Sequence, residues 1–104
     1  MRIIRQGDVA LVRVKSIPAD AVEQKIEGRI VLQHGEVTGH AHAFYDDTYN
    51  IKLYVAHGGA RYIDVSAPSD LKHEEHSTAR VPAGKWLLPM QVEYTPAELR
   101  RVAD

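Results

Sequence analysis

Cysteine is absent from the 104-residue sequence. That excludes a disulfide framework, a thiolate nucleophile and any cysteine-ligated zinc. Long apolar runs are missing as well: nothing approaches the roughly 18 residues of a membrane span. Met1-Arg-Ile-Ile-Arg5 is too short for a signal peptide, so no membrane partner is expected and the cytoplasm is the default setting. An excess of charge of either sign is lacking, with 13 Lys plus Arg against 14 Asp plus Glu and a net charge of −1. A chain without a positive field is not built to live on phosphate backbones, and nucleic acid is not an expected partner. There is no Gly-x-x-x-x-Gly-Lys phosphate loop, no dinucleotide fingerprint and no Gly-x-Ser-x-Gly nucleophile elbow. What remains, at 44% hydrophobic and 26% charged residues, is one globular domain over residues 1–104.

Histidine is the abundant reagent. All six (His34, His40, His42, His57, His73 and His76) lie between residues 34 and 76. That stretch holds three basic and seven acidic side chains, whereas residues 1–33 hold six basic and four acidic. Carboxylates beside imidazoles favour either protonated histidine or a bound cation.

The pattern between turns is that of short strands. Asp8–Lys15 is a β-branched run and predicts a strand. Pro18–Ile26 predicts a turn or short helix, and Arg29–Gln33 and Val37–Tyr45 two further strands. Ile51–Ala56 and Ala60–Val65, joined by His57-Gly58-Gly59, form the clearest hairpin. Leu71–Val81 is polar and ambiguous. Val81-Pro82-Ala83-Gly84 has the form of a type I turn, and Lys85–Tyr94 predicts a last long strand with Pro89 at an edge or bulge. Thr95-Pro96-Ala97-Glu98 is a capping box, so a short C-terminal helix to Val102 is expected. Seven or eight strands in all predict an all-β fold, a small single-domain barrel or double-sheet sandwich. Its expected core is Val9, Leu11, Val12, Val14, Ile30, Leu32, Val37, Phe44, Leu53, Val55, Ile63, Val65, Trp86, Leu88 and Val92.

Gly39-His40-Ala41-His42-Ala43 is the most informative segment. On a strand, residues i and i+2 share a face, so His40 and His42 project together and can converge on one divalent ion. Equally, they can be two solvated surface histidines. His73-Glu74-Glu75-His76 offers a second pair on one face of a helical turn; in a strand the pairs become His73 with Glu75, or Glu74 with His76. It is not the His-Glu-x-x-His of zinc proteases. Joined, the clusters make His40, His42, His73 and His76 candidate ligands of a divalent transition metal (Zn, Fe, Ni or Mn). Glu74 and Glu75 are then the candidate catalytic groups, as ligand or general base. His34 and His57 fall at turns, Glu36 is placed to orient an imidazole, and Asp46 and Asp47 are turn formers.

Gly35-Glu36-Val37-Thr38-Gly39-His40-Ala41-His42 resembles the first motif of cupins, small β-barrels that hold a metal through such histidines. The resemblance implies His40 and His42 as ligands, with Asp46 or Asp47 in the acid position. It departs after Val81-Pro82-Ala83-Gly84, where Lys85-Trp86 stands in place of the last ligand histidine. Arg5-Gln6-Gly7-Asp8-Val9, the two histidine segments and Gln91-Val92-Glu93-Tyr94 together are similar to small proteins of unassigned function from phages and mobile elements. Two expectations follow. One is a small metal-binding β-barrel protein with a His-rich site, its reaction unassigned and a small molecule among its candidate partners. The other is a non-enzymatic accessory or structural protein working as a homo-oligomer or interaction module.

Overall fold

The computed structural model describes residues 2–34, 40–46, 48–89, 92–94 and 99–101. Twelve strands occur among them: β1 (Ile3–Gln6), β2 (Val9–Val14), β3 (Val22–Gln24), β4 (Ile30–His34), β5 (Ala41–Phe44), β6 (Ile51–Val55), β7 (Arg61–Val65), β8 (Ser69–Lys72), β9 (Ala79–Val81), β10 (Gly84–Leu87), β11 (Val92–Tyr94) and β12 (Leu99–Arg101). A six-stranded sheet runs β1-β2-β10-β7-β6-β3, and a four-stranded sheet runs β4-β5-β8-β9. β11 and β12 form a separate antiparallel pair, with β11 lying against β4. All pairings are antiparallel. The fold is an all-β double-sheet sandwich, and among the described residues no sheet closes into the barrel that was the alternative expectation.

One core joins the two sheets. The six-stranded sheet contributes Ile4, Val9, Leu11, Ile51, Ile63, Val65 and Trp86; the four-stranded sheet contributes Ile30, Leu32, Phe44, Leu71 and Val81. Strand parity explains most of this. With Val9 and Leu11 facing in, Val12 and Val14 must face out, and Val12 is 40% exposed. These two valines and the half-buried Val55 are corrected from the expected core, and Leu53 packs only at its margin. Val37 and the side chain of Val92 lie outside the described residues.

Other expectations shift for reasons of long-range pairing. The turn beginning at Pro18 is present, the Ala21 N–H donating to the Pro18 carbonyl, but Val22–Gln24 then pairs with β6 instead of starting a helix. The expected strand Lys85–Tyr94 is two strands, β10 and β11, separated around Pro89. Pro82 and Ala83 do not close a hairpin: they carry the chain from β9 in one sheet to β10 in the other. The helix expected to Val102 is corrected at Leu99–Arg101, which is extended and paired with Val92–Tyr94. Thr95–Glu98 and Val102 lie outside the described residues. Among the described residues no helix is long and apolar enough to cross a membrane.

Arg61 ties the sheets together on their buried side. The β4–β5 register shifts between Val31 and Gln33, a bulge that takes Leu32 out of the regular ladder. From β7 across the sandwich, the Arg61 guanidinium donates to the Val31 carbonyl at 3.1 Å and the Leu32 carbonyl at 2.6 Å. Burial pushes its pKa down, yet the guanidinium stays cationic. Arg61→Met is expected to destabilise the domain by about 2–3 kcal/mol, the cost of stranding a charge-assisted pair of carbonyl bonds. Urea denaturation checks this, and an unchanged midpoint would refute the clamp.

Candidate functional site

The two histidine segments meet. His42 is on β5 with its ring on the core-facing side, the same side as Phe44, and it is only 3% exposed. His40 precedes the strand with the same parity. His73 and His76 come from the bend linking β8 to β9, which is neither helix nor strand. Ring centroids stand 4.2 Å apart for His42 and His73, 4.8 Å for His73 and His76, 5.7 Å for His42 and His76, and 6.0 Å for His40 and His73. The first and third pairs are stacked and the last is edge-on.

Gln6, at the end of β1, organises this end of the sandwich. Its amide is 3% exposed. The Nε2 group donates to the carbonyls of Leu71 (2.7 Å) and Ser77 (3.0 Å), pinning both ends of the histidine bend. With both donors so committed, Oε1 faces His42 Nδ1 at 2.9 Å and can only accept. His42 therefore carries its proton on Nδ1 and presents a bare lone pair on Nε2. His40 Nδ1 donates to the Glu75 carboxylate at 2.9 Å, so in the neutral ring Nε2 is the nitrogen without a proton. His73 is the opposite tautomer: its Nδ1 accepts from the Glu75 N–H at 3.0 Å, so the neutral ring holds its proton on Nε2. His76 lies on Gly7, where an added Cβ would stand 2.6 Å from His76 Nε2. Gly7 is also at φ +60°, so both backbone and ring select glycine there.

The two carboxylates of the bend face back onto β5. Glu74 Oε1 accepts from the Ala41 N–H at 2.9 Å. That bond, together with one from its own backbone N–H, holds the Glu74 carboxyl below the usual carboxylate range, with His40 and His73 adding to the effect. Glu75 bridges His40 and His73, to one through its side chain and to the other through its backbone. Sequence reasoning named Gln6 and Gly7 only within the segment Arg5–Val9 that carries a resemblance and gave neither a role at the site.

Other candidates stand apart. His34 ends β4, exposed, opposite Ala41. His57 is exposed at the β6–β7 turn beside Gly58 and Gly59, both at φ +93°, and its N–H reaches Asp20 at 3.2 Å. Asp46 pairs with Lys72 at 2.8 Å, away from the imidazoles. Glu36 and Asp47 lie outside the described residues. Among the described residues no three His, Asp or Glu side chains are already disposed around a metal position.

Residues 5–91 match the family model described as Domain of unknown function (DUF8820). The chain belongs to that family. The matched span takes in Gln6, Gly7, the four clustered histidines and both glutamates. No curated protein and no solved structure matches the chain.

Burial is the largest influence on His42 and pushes its pKa down; neighbouring His73 and His76 act in the same direction, and Asp8 and Glu74 oppose them. A histidine whose folded pKa lies below its unfolded value of about 6.5 takes up its proton more readily when unfolded. Stability of the metal-free protein should therefore fall as pH drops through that value and level off below the folded pKa. Melting temperatures from pH 8 to pH 5 check this, with His42→Asn expected to flatten the slope. A profile that is level in the parent protein, or unchanged by the substitution, contradicts the burial effect.

Proposed function

We propose that this domain binds a divalent transition metal (Zn, Fe, Ni or Mn) at the imidazole cluster, through His40 and His42 with His73 and His76 completing the site. The supporting observation is that Gln6 and Glu75 engage Nδ1 of His42 and His40, so that Nε2 of each ring is the nitrogen left to ligate once the ring is neutral, next to two further imidazoles on an exposed bend. Glu75 behind His40 is the arrangement in which a carboxylate orients a ligating ring and raises its basicity. Metal capture then requires His73 to give up one hydrogen bond, to the Glu75 N–H, at a net cost of about 1 kcal/mol. A metal with an open position supplies Lewis acidity for water or a small-molecule ligand. Glu74, held ionised, then serves as a ligand or an electrostatic partner. The setting consistent with this reading is the cytoplasm.

Metal analysis of purified protein, followed by titration of Zn²⁺ or Co²⁺ into the demetallated form, tests the proposal. One equivalent should bind. At a hundredfold excess over Kd, loading should stabilise the fold by about 2.7 kcal/mol. The double variant His40→Ala with His42→Ala should lose both effects. Absence of stoichiometric uptake, together with melting that chelation leaves unchanged, would overturn it.

A second reading, self-association, draws on the outer face of the six-stranded sheet. Register places Ile3 opposite Val12, Val12 opposite Leu87, Leu87 opposite Tyr62 and Tyr62 opposite Tyr54, an apolar row across five strands. Ile3 and Val12 are 43% and 40% exposed. A second copy is the occupant of this reading, and Val12→Lys should then shift the mass seen by light scattering. A monomer at all concentrations would exclude it.

A further inference from the structure

Ile4 and Gln6 of β1 share a side with Arg2, one residue before the strand, and Val9 and Leu11 of β2 share a side with Arg13 and with Lys15, one residue past the strand; Arg2, Arg13 and Lys15 are exposed. Thus at the end of the sandwich about 13 Å from Gln6, four residues along β1, the inward side of the sheet is given to cations. A sandwich strand ordinarily reserves that side for apolar residues. The neighbouring strand makes room for them. On β10 the residue two before Trp86 is Gly84, where an added Cβ would stand 3.1 Å from Arg13 Nη2. The Arg13 guanidinium lies 5.7 Å from the centre of the fully buried Trp86 ring. Arg13 is thus seated by an aromatic face and a side-chain-free strand position, independently of each other.

Around it opens a cleft of about 560 Å³ lined by Arg2, Arg13, Val14, Lys15, Gly84 and Lys85. Among the described residues none of these four cations is paired with a carboxylate, whereas Lys25, Lys72 and Arg80 each are. Four like charges gathered in one cleft of a chain whose net charge is −1 repel one another. A multivalent anion removes that repulsion. The planar fork of Arg13 matches two phosphate oxygens at once, and the lysines follow as mobile point charges. The volume is that of a small-ligand site. No described aromatic residue lines the cleft, and Trp86, buried beneath Arg13, offers no surface on which a base could stack, as single-stranded nucleic acid requires.

We propose that this cleft is a binding site for a small phosphate-bearing ligand, a polyphosphate or phosphomonoester, with Arg13 as its fixed contact and Arg2, Lys15 and Lys85 neutralising the remaining charge. The site is separate from the imidazole cluster and does not depend on a metal there.

Calorimetric titration of inorganic tripolyphosphate into metal-stripped full-length protein tests it. Saturable binding that weakens with salt is expected. Arg13→Gln should weaken it about tenfold. Because Arg13 also covers Trp86, the pair Lys15→Gln with Lys85→Gln, which does not touch that ring, provides a second variant, and it too should lose about tenfold. His40→Ala should leave the affinity unchanged. No saturation at millimolar tripolyphosphate, or an undiminished affinity in the lysine double variant, would overturn the proposal. So would an oligonucleotide that binds the same residues more tightly than tripolyphosphate.

Discussion

Everything at the histidine end of this molecule depends on the buried amide of Gln6. A primary amide has two donors and one acceptor oxygen, and in a buried position each must be satisfied. Leu71 and Ser77 take the donors, so the oxygen is left to His42. That single assignment does three things. It links β1 of one sheet to β5 and β8 of the other. It holds the bend that carries His73 and His76 against the sandwich. It also decides which nitrogen of His42 bears the proton. A leucine of similar size would fill the volume and do none of these.

Arg61 plays a comparable part elsewhere between the sheets. A bulge leaves carbonyls pointing away from the ladder, and a buried carbonyl without a donor is costly. The guanidinium supplies two donors from the facing sheet. Both cross-sheet ties therefore join a side chain of the six-stranded sheet to backbone carbonyls of the four-stranded sheet or its bend. Apolar contact alone fixes the distance between two sheets but not their lateral placement. Hydrogen bonds of defined direction do fix it, which is what a site built from both sheets requires.

Much of this was legible in the sequence where the signal is local. The β6–β7 hairpin is written in two β-prone runs around Gly58 and Gly59, and β2 and β4 in their β-branched residues. His40 and His42 share a face because strand geometry leaves no alternative, and the structure brings His73 and His76 to them. The illegible parts are non-local. β1 is four residues long with one buried isoleucine and a buried glutamine, a pattern that reads as polar until its partners are known. The Val12 and Val14 positions look like core until Leu11 fixes the parity. Pro82-Ala83-Gly84 has the composition of a hairpin turn, yet the chain uses it to change sheets, because β10 pairs with β2 and β7 instead of β9. A capping box at Thr95–Glu98 is a local preference worth about 1 kcal/mol, and at Leu99–Arg101 pairing with β11 overrides it.

The unequal tautomers of the imidazole cluster follow from the same economy of donors and acceptors. Glu75 offers an acceptor through its carboxylate and a donor through its backbone, and it faces two histidines at once. One ring must then donate and the other accept, so His40 and His73 cannot be equivalent even though both are half-buried. Stacking of His42 on His73 at 4.2 Å adds a further constraint, since two charged rings at that separation would repel in a partly desolvated place. Neutral His42 is thus imposed by burial and by its neighbours together. A neutral imidazole with a directed lone pair, next to a ring that can change partners at the expense of one hydrogen bond, is what the proposed metal would require. At the far end of the same sandwich, the inward cations of β1 and β2 have no carboxylate partner among the described residues. The inner rows of β1 and β2 are consequently apolar in the middle, where they hold the fold, and give way to cations at one end and, on β1, to the Gln6 amide that holds the imidazoles of the facing sheet at the other.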